Sequence, residues 1–465
     1  MRELPRGIFD VYALALPSGH GFGLRPPAGA WQSDDGSSIG ILTRDIDSHQ
    51  HGIIVMRQRS DDVWAEIVRE DHIGTKEACT AQLKEFLSDG QARVRLPPNT
   101  APRPALHHIG NRTPGSLFDV LRKPTHRIAA WTINQLYLAM PNPDKNWVSD
   151  CQTANFHTRM WEAQLLASFR EQGLLVTQDY VSPDFQIENR LGGKATVEAV
   201  TANPTIAYDH VNTPPGPLPT ERDDIFFGTA AVRFAKTLRS KLQREYHRLP
   251  HVVGKPFVIA LADFHAPASM VWSREALIGY LYGSGAAARL LNGKMTPVET
   301  TRDKLLGNEG IPAGLFTDER QSDLSAVIFS NACSISKLYR VGISAGAQMP
   351  EYRYTRAGRL FDRTPGALEG VPFCHDITSN EYRAYWPQGY EPWTAEMEVF
   401  HNPHALHPTP RELLPEATHW FERNGEIECE AFYETSILWS QTMITDSHQR
   451  QPTLDDFLPT GGTEQ

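Results

Sequence analysis

The chain has 465 residues, of which 40% are hydrophobic and 22% are charged, as is typical of a folded protein with two or three domains. Its net charge of −10 argues against a general nucleic-acid coat, because sequence-independent binding depends on Lys and Arg side chains that neutralise phosphates. The five cysteines form no CxxC pair, the N-terminus lacks an apolar signal core, and no apolar run reaches membrane-spanning length. We therefore expect a cytoplasmic protein with reduced thiols and no membrane partner.

The first 150 residues are predicted to form a small α+β module and a linker. The module covers residues 1–95, with strands and a helix expected at Ser38–Arg44, Gly52–Arg57, Val63–Val68 and Lys76–Leu87. Five prolines between Leu96 and Pro114 indicate a linker. Residues 96–150 are assigned to this linker and to a lead-in helix at Ile128–Met140.

The next element is predicted to be a helix with one carboxylate at the edge of its apolar face. Asn155 is suited to the N-cap and Gly173 to the C-terminal stop. The apolar stripe between them consists of Trp161, Leu165, Leu166 and Phe169. Glu162 borders this stripe, and a carboxylate buried there is costly unless it is hydrogen-bonded, paired or bound to a metal.

A hairpin that presents two more carboxylates is predicted between Val181 and Asn203. A turn centred near Leu191 places Asp184 and Glu198 at equal distances from it, on directly opposed positions of the two strands. Opposed side chains share one face with Cβ atoms roughly 4.5 to 5.5 Å apart, so the two acids should repel unless a proton or a cation lies between them. An error of one residue in the turn would move one acid to the other face.

The elements after the hairpin complete an α/β core that we assign to residues 151–345. They are expected in the order helix, strand, helix and strand, at Phe226–Arg248, Pro256–Ala262, Ser273–Tyr282 and Leu324–Ser330, and a strand at Leu174–Tyr180 precedes the hairpin. Seven Lys or Arg residues and only one acid occur from Arg233 to Lys255. That charge is consistent either with contact to a phosphate backbone or with a solvated helix face. Residues 346–454 are assigned to a C-terminal extension and residues 455–465 to a disordered tail.

These residues resemble the PD-(D/E)XK nuclease superfamily, which has a restriction-endonuclease-like mixed sheet flanked by helices. The matching positions are Glu162 on the helix, the Pro183-Asp184 pair and Glu198. The resemblance implies that Asp184, Glu198 and Glu162 hold one or two Mg²⁺ or Mn²⁺ ions, with the backbone carbonyl of Ala199 as a further ligand. The family's lysine is replaced here by Val200.

The positive charge could instead come from the following helix. Lys241 and Lys236 are the candidates there, whereas Lys194 precedes Glu198 by four residues, roughly 13 Å along a strand.

The resemblance implies a metal-dependent phosphodiesterase that acts on DNA or RNA, with Asp184, Glu198, Glu162 and Lys241 as catalytic residues. By analogy alone, it suits bacterial defence or nucleic-acid processing. The alternative is a catalytically inactive binding or scaffold protein, for which Val200 is the evidence. A third hypothesis is an enzyme that uses two histidine-rich segments, residues 45–51 and 401–407. Protein partners and homo-oligomers remain open.

Overall fold

The computed structural model describes residues 1–12, 24–88, 90–291, 294–307, 310–364, 367 and 369–457. The α-helices are α1 (Arg6–Tyr12), α2 (Lys76–Phe86), α3 (Ser116–Leu121), α4 (Arg127–Ala139), α5 (Trp147–Gln152), α6 (Phe156–Glu171), α7 (Arg222–Phe227), α8 (Thr229–Leu242), α9 (Arg274–Tyr282), α10 (Ile335–Ser344) and α11 (Asn380–Arg383). The strands before residue 300 begin with β1 (Arg2–Glu3), β2 (Pro27–Gln32), β3 (Ser38–Arg44), β4 (His51–Gln58), β5 (Trp64–Gly74), β6 (Leu175–Thr177), β7 (Phe185–Glu188), β8 (Lys194–Ala202), β9 (Phe257–Asp263), β10 (Ser284–Leu291) and β11 (Lys294–Thr301). The later strands are β12 (Ala326–Ser330), β13 (Tyr352–Leu360), β14 (Val371–Asp376), β15 (Met397–His401), β16 (Thr418–Arg423), β17 (Glu426–Glu430) and β18 (Ile437–Asp446).

The N-terminal residues form an antiparallel sheet of β1 to β5 in sequential order, with α2 packed on β3 and β4. Helix α2 begins at the predicted residue, where the Thr75 side chain accepts a hydrogen bond from the Ala78 amide. Gly40 on β3 permits close packing, because an added Cβ there would lie 2.8 Å from a Leu83 methyl group. The three predicted strands and the helix of this region are confirmed, with ends shifted by a few residues.

The centre of the molecule is a mixed eight-stranded sheet in the order β17, β16, β15, β12, β9, β8, β7, β6. Strands β8, β9 and β12 run parallel to one another, whereas β6, β7 and β15 pair with their inner neighbours in antiparallel fashion. Helices α4, α6 and α10 pack in the apolar core on one face, and α7, α8 and α9 in the core on the other. The expected α/β class is therefore shown, with β9 and β12 buried along their whole length as predicted.

The long basic helix predicted at Phe226–Arg248 is confirmed only in its middle part, where α8 spans Thr229–Leu242. Helix α7 ends at Phe227 and α8 begins after Gly228, where an added Cβ would lie 2.3 Å from the Asp224 carbonyl oxygen. Helix α8 ends at Leu242, and Glu245 adopts a left-handed conformation with φ of 51°. At Gly228 the break lies in the backbone angles, with φ of −84° and ψ of −144°, whereas beyond Gln243 the amides of Arg244 and Glu245 bond to carbonyls three residues earlier. The charge pattern runs through both positions without a break.

The chain beyond residue 345 contributes to the central sheet. Strand β15 pairs with β12, and β16 and β17 extend the sheet beyond it, while β13, β14 and β18 form a separate three-stranded sheet. The sheet is thus built from residues on both sides of the boundary expected at 345. Of the expected tail, residues 458–465 lie outside the described residues, whereas Leu454–Asp456 form a 3-10 turn in which Asp456 pairs with Arg450. In the described part of the chain, no helix has the length and apolarity that a bilayer crossing requires.

Candidate active site

Helix α6 carries the first of the predicted acids. It begins after Asn155 and is followed by Gly173, whose φ of 78° is the left-handed conformation expected at a helix end. Trp161 anchors the helix to the sheet, because its indole Nε1 donates to the carbonyl of Ala260 on β9 at 3.0 Å. Glu162 is only 7% exposed. The chain therefore buries a carboxylate on the helix that lies against the central strands.

Two donors that the sequence analysis did not identify hold Glu162. The Arg159 guanidinium donates to both carboxylate oxygens, at 2.8 and 3.1 Å, and Trp147 Nε1 donates to Oε2 at 3.1 Å. Burial raises the pKa of Glu162, and the charge of Arg159 opposes that rise. Arg159 also pairs with Asp150. Residues three apart on a helix are neighbours, so the pairing of Arg159 with Glu162 could have been predicted from the sequence.

The turn between β7 and β8 fixes the register of the hairpin. The Asn189 amide donates to the Gly193 carbonyl at 2.9 Å, and the Asn189 side chain accepts hydrogen bonds from the amides of Leu191 and Gly193. Gly192 has φ of 85°. The turn is therefore centred on Leu191, the position assumed in the sequence analysis.

This register brings the two strand acids close together. Phe185 pairs with Val197 at the end of the ladder, and Asp184, the residue before β7, accepts a hydrogen bond from the amide of Ala199, the residue after Glu198. Phe185 and Val197 both pack into the core on the α6 face, so their neighbours Asp184 and Glu198 are expected on the α8 face. The backbone thus brings the two predicted carboxylates together on one face of the hairpin.

Asp184 is held in an environment that disfavours its charged form. Burial, followed by the charges of Glu198 and Glu162, raises its pKa well above the usual value. The Ala199 amide opposes this shift by donating to Asp184 Oδ2 at 2.7 Å. The charge of Glu198 therefore favours the protonated form of Asp184.

Lys241 supplies a positive charge to the site from α8. Its Nζ donates to Glu198 Oε1 at 2.7 Å, while the buried Oε2 of Glu198 has no hydrogen-bond partner within the described part of the chain. The ammonium group of Lys241 thus contacts Glu198, the acid that is followed two residues later by Val200 instead of a lysine. Lys194 does not take this position, because it pairs with Glu188 at 3.1 Å.

A basic cleft of about 510 Å³ leads away from Lys241 between α6, β8 and α8. Its cationic lining residues are Arg159, Arg233, Lys236 and Lys241. Lys236 is exposed, whereas Arg233 is engaged with the backbone carbonyl of Asn203. Lys236 is therefore an exposed cation in the same cleft as Lys241, the lysine that pairs with Glu198.

The acids do not form a three-residue metal cluster. Throughout the described residues, no group of three or more His, Cys, Asp or Glu side chains lies close enough to share one ion. Glu162 influences the pKa of Asp184, yet its own oxygens are taken by Arg159 and Trp147. The convergence expected of all three acids is thus limited to Asp184 and Glu198, with Glu162 nearby.

The histidine-rich segments do not form a metal centre either. Asp45 accepts hydrogen bonds from the backbone amides of Asp47 and Ser48, as in a turn. His401 lies at the end of β15, where its Nε2 is 2.8 Å from His419 Nδ1, and burial lowers its pKa to about 3. These contacts are those of a solvated turn and a buried neutral histidine pair.

Comparisons of the chain with models of protein families, with curated proteins and with solved structures give no match. A functional proposal therefore depends on the geometry of the residues described above.

The exposed Lys236 provides a test of the cleft that leaves the acids intact. We expect Lys236→Glu to weaken nucleic-acid binding to a similar extent for all sequences and to reduce the slope of log K against log salt by at least about 1, because one phosphate contact is lost. Fluorescence anisotropy with labelled DNA and RNA at several salt concentrations measures both. Lys84→Glu, on the exposed side of α2, is the matched control. Equal affinity and slope for both variants would leave α8 with a structural role only.

Proposed function

We propose that this protein is a metal-dependent phosphodiesterase that cleaves nucleic acid, built on a restriction-endonuclease-like core. The observation that carries the proposal is the 2.7 Å contact between Lys241 Nζ and Glu198 Oε1, beside Asp184, which accepts from the Ala199 amide. A lysine next to two paired acids is the charge combination that phosphodiester hydrolysis needs. Lys241 on α8 would supply the positive charge that the motif lysine provides elsewhere, since Val200 occupies the motif position here.

The donor set fits a hard divalent cation. Mg²⁺ usually takes only one or two carboxylates and keeps several waters, so Asp184 and Glu198 suffice without a third acid. Oε2 of Glu198 is a buried carboxylate oxygen to which no donor among the described residues is hydrogen-bonded. A cation held by Asp184 and Glu198 would also offset the repulsion that raises the pKa of Asp184.

The carbonyl oxygen of Ala199 is a further candidate ligand, because Pro183 does not donate a hydrogen bond to it. Pro183 lies in a bend two residues before Phe185, whose partner Val197 lies two residues before Ala199. Pro183 has no N–H to donate, so it cannot complete the ladder with the Ala199 carbonyl. The Ala199 amide instead donates to Asp184. This arrangement supports Ala199 as the backbone ligand expected beside the second acid.

The protein's residues have distinct tasks in this proposal. When bound, the cation would lower the pKa of a water and neutralise charge developing on the phosphoryl oxygens. Asp184 and Glu198 would hold it, with the Ala199 carbonyl. Lys241 would orient the attacking water and stabilise the phosphoryl group, and Glu162 would act through a water because Arg159 already occupies its oxygens.

The competing function is a binding protein that keeps the fold and lacks the chemistry. Its support is the engagement of Glu162 by Arg159 and Trp147, which leaves Asp184 and Glu198 as the two acids for a cation. Both functions use the basic cleft. They differ in whether a bound cation leads to cleavage.

Metal-dependent stabilisation and cleavage together test the proposal. Mg²⁺ or Mn²⁺ at a hundred times its Kd should stabilise the folded state by about 2.7 kcal/mol, which a thermal melt with and without EDTA detects. Cleavage should then appear in a panel of single-stranded and double-stranded DNA and RNA only when the cation is present. Stabilisation without cleavage would favour the binding protein, and the absence of both would overturn the metal site.

A further inference from the structure

A second, more enclosed cavity of about 180 Å³ lies at the other end of the central sheet, among α9, β15, β16, β17 and the start of β18. It shares no lining residue with the basic cleft. Its walls include the aromatic side chains of Phe361, Trp386, Trp420 and Tyr433. Pockets for drug-sized ligands are roughly 300 to 1,000 Å³, so this one has room for a single small ring system.

Glu398 gives the cavity an unused hydrogen-bond acceptor. The side chain is 6% exposed on β15, and its Oε1 accepts from Arg274 Nε at 2.9 Å and from Trp420 Nε1 at 3.3 Å. Its Oε2 is buried and has no hydrogen-bond partner within the described residues. A buried acceptor without a donor costs roughly 1 to 3 kcal/mol, and a ligand N–H placed there would remove that cost.

The charges of the lining residues balance, which favours a ligand whose portion inside the cavity carries no net charge. The charged side chains are Arg274, Arg363, Glu396 and Glu398, two of each sign. Glu396 is directed to the interior, where Oε1 pairs with Arg356 and Oε2 lies 3.6 Å from Lys337 Nζ. Since Arg274 already neutralises Glu398, an ammonium ligand would add an uncompensated buried charge. A neutral planar group with N–H donors avoids that penalty.

We propose that this cavity binds a guanine-type base. Guanine presents adjacent N–H donors on one edge for the free carboxylate oxygen of Glu398, and its O6 and N7 acceptors on another edge suit an arginine, the commonest partner of those atoms. Arg363 is exposed at the cavity and donates to the Tyr433 carbonyl at 3.1 Å, which leaves other guanidinium N–H groups for the ligand. Proteins that bind a base flipped out of a nucleic-acid strand stack it against aromatic side chains and form hydrogen bonds to its edge. The base is either that of a free nucleotide or one in a nucleic-acid strand.

Calorimetric titration with three nucleoside monophosphates tests the base preference. Guanosine monophosphate should bind, inosine monophosphate should bind several-fold more weakly because it lacks the 2-amino donor, and adenosine monophosphate should bind at least tenfold more weakly. Adenine places the N1 acceptor where guanine has an N–H, and so leaves Glu398 Oε2 unpaired. Equal affinities for the three, or no binding of any, would overturn the proposal. Binding of arginine or agmatine in preference to guanosine would also overturn it in favour of a cation site.

A thiol in the cavity reports occupancy without any substitution. Cys429 lines the cavity and is the exposed member of the five cysteines. The residue is exposed as a whole, while burial among the cavity walls raises the pKa of its thiol to about 11, so alkylation at pH 8.5 will be slow enough to follow. Guanosine monophosphate should slow alkylation of Cys429 by an amount that follows saturation, while adenosine monophosphate should not. Labelling that is unaffected at saturating guanosine monophosphate would place the ligand elsewhere.

Two variants connect the binding to the named residues. In Glu398→Gln the position of Oε2 is taken either by an NH2 donor or by a neutral amide oxygen, which is a weaker acceptor than a carboxylate. Guanosine monophosphate affinity should therefore fall at least tenfold. Arg363→Gln, at an exposed position, should lower it several-fold with an unchanged melting temperature. Comparison of the mononucleotide with a short guanine-containing oligonucleotide distinguishes the two sources of the base. Because the cavity is separate from Asp184 and Glu198, these results are independent of any cleavage activity.

Discussion

Replacement of Asp184 by Asn is expected to abolish stabilisation by Mg²⁺ or Mn²⁺ and to reduce cleavage at least about 100-fold. The amide removes one of the two carboxylates available to the cation and cannot provide the negative charge. The fold should survive, because burial and Glu198 already keep the pKa of Asp184 high in the protein alone. Thermal melts with and without the cation, together with single-turnover cleavage assays, measure the two effects.

The same substitution should change the pH dependence of stability in the absence of metal. The folded-state pKa of Asp184 is raised above its unfolded value. Its contribution to stability is therefore fully present below the unfolded pKa, which is near 3.8, and is lost as the pH rises through the folded pKa. Asp184→Asn should flatten this decline. Urea unfolding with EDTA at a series of pH values gives the comparison.

Asp179→Asn is the matched control, since Asp179 is an exposed aspartate five residues earlier in the chain. It should change neither metal stabilisation nor cleavage. A nuclease activity that persists in Asp184→Asn at the level of this control would show that the hairpin acids are not the catalytic centre.

The hairpin of the site could be predicted because all of its determinants are local. The Leu191-Gly192-Gly193 turn fixes the register, and a side-chain period of two then determines which residues share a face. Local patterns likewise gave the ends of α6 within two residues. The contact between Lys241 and Glu198 was only one of several options, because it depends on where α8 crosses β8 in space.

The partners of Glu162 and the assembly of the sheet could not be predicted in the same way. Trp147 reaches Glu162 from α5, a separate helix whose orientation no periodicity encodes. Strand β15 pairs with β12 across about 70 residues, and the intervening chain forms a different sheet. The Pro- and aromatic-rich composition of that region suggested an extension, although its strands complete the central sheet. Pairing between strands that are far apart in the chain depends on how the elements pack, and a single sequence contains little information about that packing.

A buried ionic network joins this late part of the chain to the core. Glu391 is fully buried and accepts hydrogen bonds from Lys337 and Arg340 on α10 at 2.9 to 3.3 Å, and from the Tyr382 hydroxyl. Burial raises the pKa of Glu391, but Arg340, Lys337 and Arg356 outweigh it and hold the pKa well below its usual value. The network links the segment before β15 to the helix that follows β12. Its integrity therefore couples the last third of the protein to the central sheet.

Removing the charge of Glu391 should destabilise the protein strongly. Glu391→Gln leaves Lys337, Arg340 and Arg356 with Glu396 as the remaining acid of the network, and breaking a buried ion pair in this way costs roughly 3 to 5 kcal/mol. Urea unfolding at neutral pH measures the loss. Glu381→Gln on the exposed side of α11 changes the same chemical group ten residues away and should stay within about 0.5 kcal/mol of the unmodified protein. A loss below about 1 kcal/mol for Glu391→Gln would mean that the three cations are compensated without it, and that the network does not hold the C-terminal region to the core.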